Sequence, residues 1–182
     1  MTINVPNILS LTRILLTPLF VICVMRGLFP LALVIFTIAG ISDALDGFIA
    51  RYFNQRTVLG TYLDPIADKI LLMSAFISLA ILQIIPPWLT VVVISRDIFI
   101  VIGYAIFEIT DMRHRIEVKP SIVSKFTTVA QLTSVFFALL NPDVYAELRL
   151  KIFLYWLTAG LTIMSGLHYI YKGMKILQDS DD

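Results

Sequence analysis

Thiols and imidazoles are almost missing from this chain: its 182 residues include one cysteine and two histidines. A lone Cys23 inside an apolar run excludes an intramolecular disulfide and reads as a small buried hydrophobe. With no cluster of Cys or His, soft-metal sites are disfavoured. Charge is also scarce. Asp, Glu, Lys and Arg make up 15% of the residues and nearly cancel to +1, a sum that says little because the distribution matters more; no nucleic acid partner is expected. The apolar run that begins at Ile14 is not followed by a small-residue cleavage site, so no cleavable signal peptide is expected.

Hydrocarbon dominates what remains. The composition is 58% hydrophobic and the mean hydropathy is +0.88, more apolar surface than a soluble domain of this size can hide. The expected fold is all-α: one polytopic membrane domain over 1–182 with six spans near 8–26, 29–50, 62–84, 88–107, 122–141 and 150–172. Each is close to the ~20 helical residues a bilayer requires. Gly27 and Pro30, Gly60, Pro86-Pro87, Pro120 and Asn141-Pro142 are taken as the breaks between them. Arg51, Arg56, Arg113, Arg115, Lys119, Lys125, Lys172 and Lys175 fall on one side of such a bundle, and Arg26, Arg149 and Lys151 on the other. The positive-inside rule then places both termini in the cytosol. Trp88 suits an outer-interface anchor and Trp156 packing or lipid contact. Tyr155, Tyr169 and Tyr171 suit lipid-facing or interface positions, and His168 a packing residue.

Against this background two acidic clusters stand out, Asp43-Ala-Leu-Asp46-Gly47-Phe-Ile-Ala50-Arg51 and Gly60-Thr-Tyr-Leu-Asp64-Pro-Ile-Ala-Asp68. One charged side chain near a bilayer centre costs about 2.5–3.5 kcal/mol, so such a group of carboxylates needs compensation. Leu28–Ile41 climbs about 21 Å of a roughly 30 Å core before Asp43, at 1.5 Å per helical residue. The third span mirrors this, with its acids first and apolar sequence after them. A helical hairpin therefore brings both acidic pairs to a similar, cytosolic depth. Asp43, Asp46 and Ala50 share one helix face, and Gly60, Asp64 and Asp68 share another. Small residues there let a bulky ligand approach the backbone. Hard divalent cations, two Mg²⁺ or Mn²⁺ about 3.5–4 Å apart, suit these oxygens and would bridge a pyrophosphate. Salt bridges to Arg51, Arg56 and Lys69 are the plainer alternative.

The spacing D-x2-D-G-x2-A-R-x8-G-x3-D-x3-D, met by Asp43, Asp46, Gly47, Ala50, Arg51, Gly60, Asp64 and Asp68, resembles the motif of the CDP-alcohol phosphatidyltransferases. The likeness extends over most of the chain, including Asn7-Ile-Leu-Ser-Leu-Thr-Arg13. It implies a six-helix membrane enzyme, usually a homodimer, that transfers a phosphatidyl group from CDP-diacylglycerol to an alcohol and releases CMP. By position, Asp43, Asp46, Asp64 and Asp68 would be metal ligands, and Asp68 also the general base. Asp46, Gly47, Ala50, Arg51 and Gly60 would form the donor site. The setting implied is a bilayer, the bacterial inner membrane, with the active site facing the cytosol.

Ile94-Ser-Arg96-Asp97 and Ser124-Lys125-Phe-Thr-Thr128-Val-Ala-Gln131 resemble the family's glycerol-lipid branch, with Arg96 and Lys125 as candidate acceptor ligands. The plainer alternatives are a buried ion pair of Arg96 with Asp97 and ordinary cytosolic charge at Lys125. Members that use glycerol 3-phosphate typically carry a second arginine where Tyr104 stands and a second lysine where Thr127 stands. Lys119-Pro-Ser-Ile-Val-Ser-Lys125 and Asn54-Gln-Arg56 look more like members that make cardiolipin from phosphatidylglycerol. The two acceptors stand near parity. Arg113-His114-Arg115 reads as a cytosolic basic loop. An ion or proton transporter is the rival class, since intramembrane carboxylates also carry ions. The acids cluster at one depth, however, and no internal repeat is evident.

Overall fold

The computed structural model describes the backbone of residues 5–52, 58–109, 122–142 and 148–178, and the side chains of 10–42, 66–102, 122–142 and 149–171. Among these residues the chain is helical and without strands. The helices are α1 (Val5–Met25), α2 (Phe29–Tyr52), α3 (Val58–Ile81), α4 (Pro87–Ile109), α5 (Ile122–Leu140) and α6 (Leu148–Gln178). These match the expected spans to within a few residues at most ends. Gly60 is not a break: it lies in the first turn of α3, where a glycine costs a helix little. The last helix runs past the apolar stretch to Gln178. Two helical segments, Ile122–Leu140 and Arg149–Tyr171, are long and apolar enough to cross a membrane, and Ser10–Met25 and Phe29–Ser42 are shorter apolar helices.

Two turns are set by backbone hydrogen bonding. After α1, Gly27 adopts φ +72°, while Gly27 N donates to Val24 O (3.0 Å) and Leu28 N to Cys23 O (2.9 Å). This paired closure satisfies the last carbonyls of the helix and needs a left-handed residue, which glycine adopts without strain. The same closure ends α3, with Gln83 N to Ala80 O (3.0 Å) and Ile84 N to Leu79 O (2.9 Å). There the left-handed residue is Gln83, at φ 59°.

The chain divides into two compact units, Met1–Ile85 with Val135–Ala146, and Pro86–Ser134 with Glu147–Asp182. In the first, α1 packs against both α2 and α3. Its buried stripe reads Ser10, Arg13, Thr17, Phe20 and Val24, alternating steps of three and four as a helix face requires. Phe20 meets Phe36 of α2 with ring centroids 5.9 Å apart. Cys23 is buried and free, as its apolar setting predicts. The buried face of α2 carries Ala32, Ile35, Phe36 and Ala39, while Leu31, Val34, Ile38 and Ile41 are exposed. Alanines let the helices approach and Phe36 fills the space beside them, while the bulky apolar residues outside form a face that suits lipid.

In the second unit α4 packs against α6, and α5 meets α6 along a polar seam. Thr127, Gln131 and Ser134 of α5 and Thr158, Thr162 and Ser165 of α6 are all buried. The Ser134 and Thr158 hydroxyls are hydrogen bonded at 2.8 Å, and Thr127 Oγ1 donates to Val123 O (2.9 Å) or Leu161 O (3.1 Å). Interhelical bonds of this kind replace the hydrophobic driving force that lipid cannot supply. Trp88 packs against Trp156 with ring centroids 5.0 Å apart and the planes tilted by 36°, the packing role expected of Trp156. Tyr155 is buried and His168 exposed, the reverse of the sequence expectation for each. An all-round apolar helix does not reveal its inner face by composition.

Candidate active site

The two acidic segments lie on continuous helix. Asp43, Asp46, Gly47, Ala50 and Arg51 belong to the second half of α2, and Gly60, Asp64 and Asp68 to the first half of α3. Helical spacing therefore holds on both segments, and each acidic pair shares a face of its helix. The side chains of Asp43, Asp46, Arg51 and Asp64 lie outside the described residues, as do Asn54, Arg56, Lys119 and the Arg113-His114-Arg115 loop.

Asp68 is described, and its partner was not anticipated. Arg13 Nη1 donates to Asp68 Oδ1. Arg13 is almost wholly enclosed, with its side chain 2% exposed, whereas that of Asp68 is 44% exposed. The expected salt-bridge partners of the acids were Arg51, Arg56 and Lys69. The only signal for Arg13 was a charge in the middle of an apolar helix, which must find a counter-ion somewhere.

The second polar cluster centres on Arg96 in the other unit. Its Nη1 donates to Asp97 Oδ1 at 2.7 Å, and its Nη2 to Ser124 Oγ and Ser165 Oγ, each at 2.7 Å. The guanidinium also lies 5.9 Å from the centroid of the Tyr169 ring, within range of a cation–π contact. Tyr169 therefore faces a cation rather than only lipid or the interface. The buried Arg96–Asp97 ion pair weighed as the plainer alternative is present within α4, and Arg96 ties α4 to α5 and α6 through Ser124 and Ser165. Lys125 is exposed, Thr127 is buried, and Tyr104 lies outside the described side chains. On the α6 side, a Cβ placed at Gly166 would meet Arg96 Cγ at 3.6 Å, an ordinary contact.

Among the described residues no three His, Cys, Asp or Glu side chains group as a metal site. The motif itself offers carboxylate oxygens without nitrogen or sulfur, a donor set that fits a hard divalent cation.

The sequence matches the family model of the CDP-alcohol phosphatidyltransferases over residues 3–164. The chain belongs to that family. Among CDP-alcohol phosphatidyltransferases with close sequences is human cardiolipin synthase (CMP-forming), 37% identical over 190 residues, a match covering 96% of this chain and 63% of the human protein. The CDP-diacylglycerol–glycerol-3-phosphate 3-phosphatidyltransferase of Shigella flexneri is 35% identical over 187 residues, covering 98% of this chain and 100% of that one. The enzyme of the same description from Aquifex aeolicus is 34% identical over 178 residues, covering 96% and 98%. The chain thus spans under two thirds of the cardiolipin synthases it resembles and the full length of bacterial glycerol-3-phosphate transferases.

Proposed function

We propose that this protein transfers a phosphatidyl group from CDP-diacylglycerol to a glycerol-type alcohol, releasing CMP. The observation that carries the reading is the complete acidic motif on two consecutive helices of a chain that belongs to this family. In the proposed reaction the acceptor hydroxyl oxygen bonds to the lipid-bearing phosphorus. The phosphoanhydride bond to CMP breaks, CMP leaves with its electron pair, and the hydroxyl proton passes to the Asp68 carboxylate. Asp43, Asp46, Asp64 and Asp68 would hold Mg²⁺ or Mn²⁺, two ions by the family pattern, which neutralise pyrophosphate charge when bound. Asp46, Gly47, Ala50, Arg51 and Gly60 form the donor site, the small residues leaving room for the nucleotide and Arg51 steadying its phosphate. The helices cross the bacterial inner membrane as six spans with both termini and the site in the cytosol, and the enzyme is a homodimer.

Phosphatidylglycerol is the acceptor we assign, giving cardiolipin, with Arg96 and Lys125 contributing positive charge toward it. Support comes from Thr127. This position carries a lysine in typical glycerol 3-phosphate enzymes, and here it holds a buried hydroxyl bonded to backbone carbonyl groups. The charge of Arg96 is also shared with Asp97. Such a site suits a phosphodiester better than a dianionic phosphate. Glycerol 3-phosphate is the second reading, favoured by full-length similarity to the bacterial transferases.

The test is CMP release by purified protein with Mg²⁺ and CDP-diacylglycerol, offering phosphatidylglycerol and glycerol 3-phosphate separately. Release with phosphatidylglycerol alone is expected. Release with glycerol 3-phosphate alone transfers the assignment to phosphatidylglycerol phosphate synthesis, and release with neither removes the reading.

A further inference from the structure

The Arg13–Asp68 ion pair is lopsided: the arginine is enclosed and the carboxylate is half exposed. A buried ion pair is weak evidence for stability, because the cost of desolvating both charges offsets their attraction. An apolar side chain of similar length at position 13 would fill the same space without that cost. What an arginine adds is direction. A guanidinium held in the packed interior directs the carboxylate oxygen that it bonds, Oδ1, which an apolar residue does not. Its backbone is equally constrained, since Thr17 Oγ1 donates to Arg13 O at 2.9 Å and Ser10 and Thr17 are buried on the same stripe of α1.

We infer that Arg13 is a positioning residue, which holds the Asp68 carboxylate of α3 in the orientation needed to accept the acceptor's proton. The inference rests on the reading of Asp68 as general base. It assigns a function to the first helix, which that reading otherwise leaves as scaffold. Arg13 acts through Asp68, the carboxylate it bonds, and misplacing such a group by about an ångström lowers turnover on the order of 100-fold.

The experiment compares Arg13→Met, Arg13→Lys and Asp68→Asn as full-length protein in lipid, measuring melting temperature, kcat and donor KM. Arg13→Met is expected to melt at or above the wild-type temperature, to keep donor KM within about threefold, and to lose kcat by about 100-fold. Arg13→Lys should recover part of that loss. Asp68→Asn should melt lower, because it removes the negative charge bonded to the enclosed guanidinium, and adding Arg13→Met to it should restore the melting temperature. Wild-type kcat in Arg13→Met alongside a dead Asp68→Asn overturns the positioning role alone. An Arg13→Met protein that does not fold, with a fully active Arg13→Lys, makes the charge structural and also overturns it. Wild-type kcat in Asp68→Asn removes the general-base reading itself.

Discussion

Arg96 of α4 and Ser165 of α6, 69 positions apart in sequence, are joined by a buried 2.7 Å hydrogen bond from the guanidinium to the hydroxyl. With Ser124 on α5 and Asp97 on its own helix, this gives one side chain a hold on each helix of its unit. Ser165→Ala removes one acceptor from an enclosed cation. It is expected to destabilise the second unit by about 1.5–3 kcal/mol, read as a lower thermal midpoint. An unchanged midpoint would show that Ser124 alone satisfies that nitrogen.

Gln131 is fully buried, and among the described residues neither its amide oxygen nor its amide nitrogen has a hydrogen-bond partner. Such a group retains its desolvation cost without a compensating bond. Gln131→Leu, of similar volume, should raise stability by about 1–3 kcal/mol, measured by thermal unfolding in detergent. A loss of stability would mean that the amide finds partners when the protein is in lipid.

The end of α3 offers a second stabilising change. Gln83 holds a left-handed conformation that costs an L side chain roughly 1–2 kcal/mol. Its side chain makes an exposed 3.3 Å bond from Nε2 to Ala80 O. Gln83→Gly is expected to stabilise by about 1 kcal/mol, with CMP release unchanged. Destabilisation would assign the side chain a larger share than that bond.

Chelation tests the metal. EDTA should abolish CMP release and Mg²⁺ or Mn²⁺ should restore it. Asp43→Asn and Asp64→Asn should each weaken metal-dependent donor binding and lower turnover by about 100-fold or more. Normal activity in either variant would remove the two-metal site.

Helices and acidic motif were legible for different reasons. Gly27 and Pro86-Pro87 bracket apolar runs whose lengths fit a bilayer, so boundaries came within a few residues. Asp43 through Asp68 stand at fixed intervals, and intervals survive in a one-dimensional string. Arg13 was not legible as a partner of Asp68, because nothing local links residues 55 positions apart. The inward turn of Tyr155 and the outward turn of His168 were hidden for another reason: α6 is apolar on nearly every side. In such a helix the polar stripe Thr158, Thr162 and Ser165 marks the inner face. Its meaning emerges only with the matching stripe on α5.

The chain has two tryptophans, and their tilted rings pack together within the second unit. Intrinsic fluorescence is therefore a private signal of that unit. A spectroscopic melt will report when α4 and α6 part and will be nearly blind to α1, α2 and α3. Comparing it with circular dichroism, which counts every helix, would reveal whether the acidic motif and the arginine clamp come apart in one step or two.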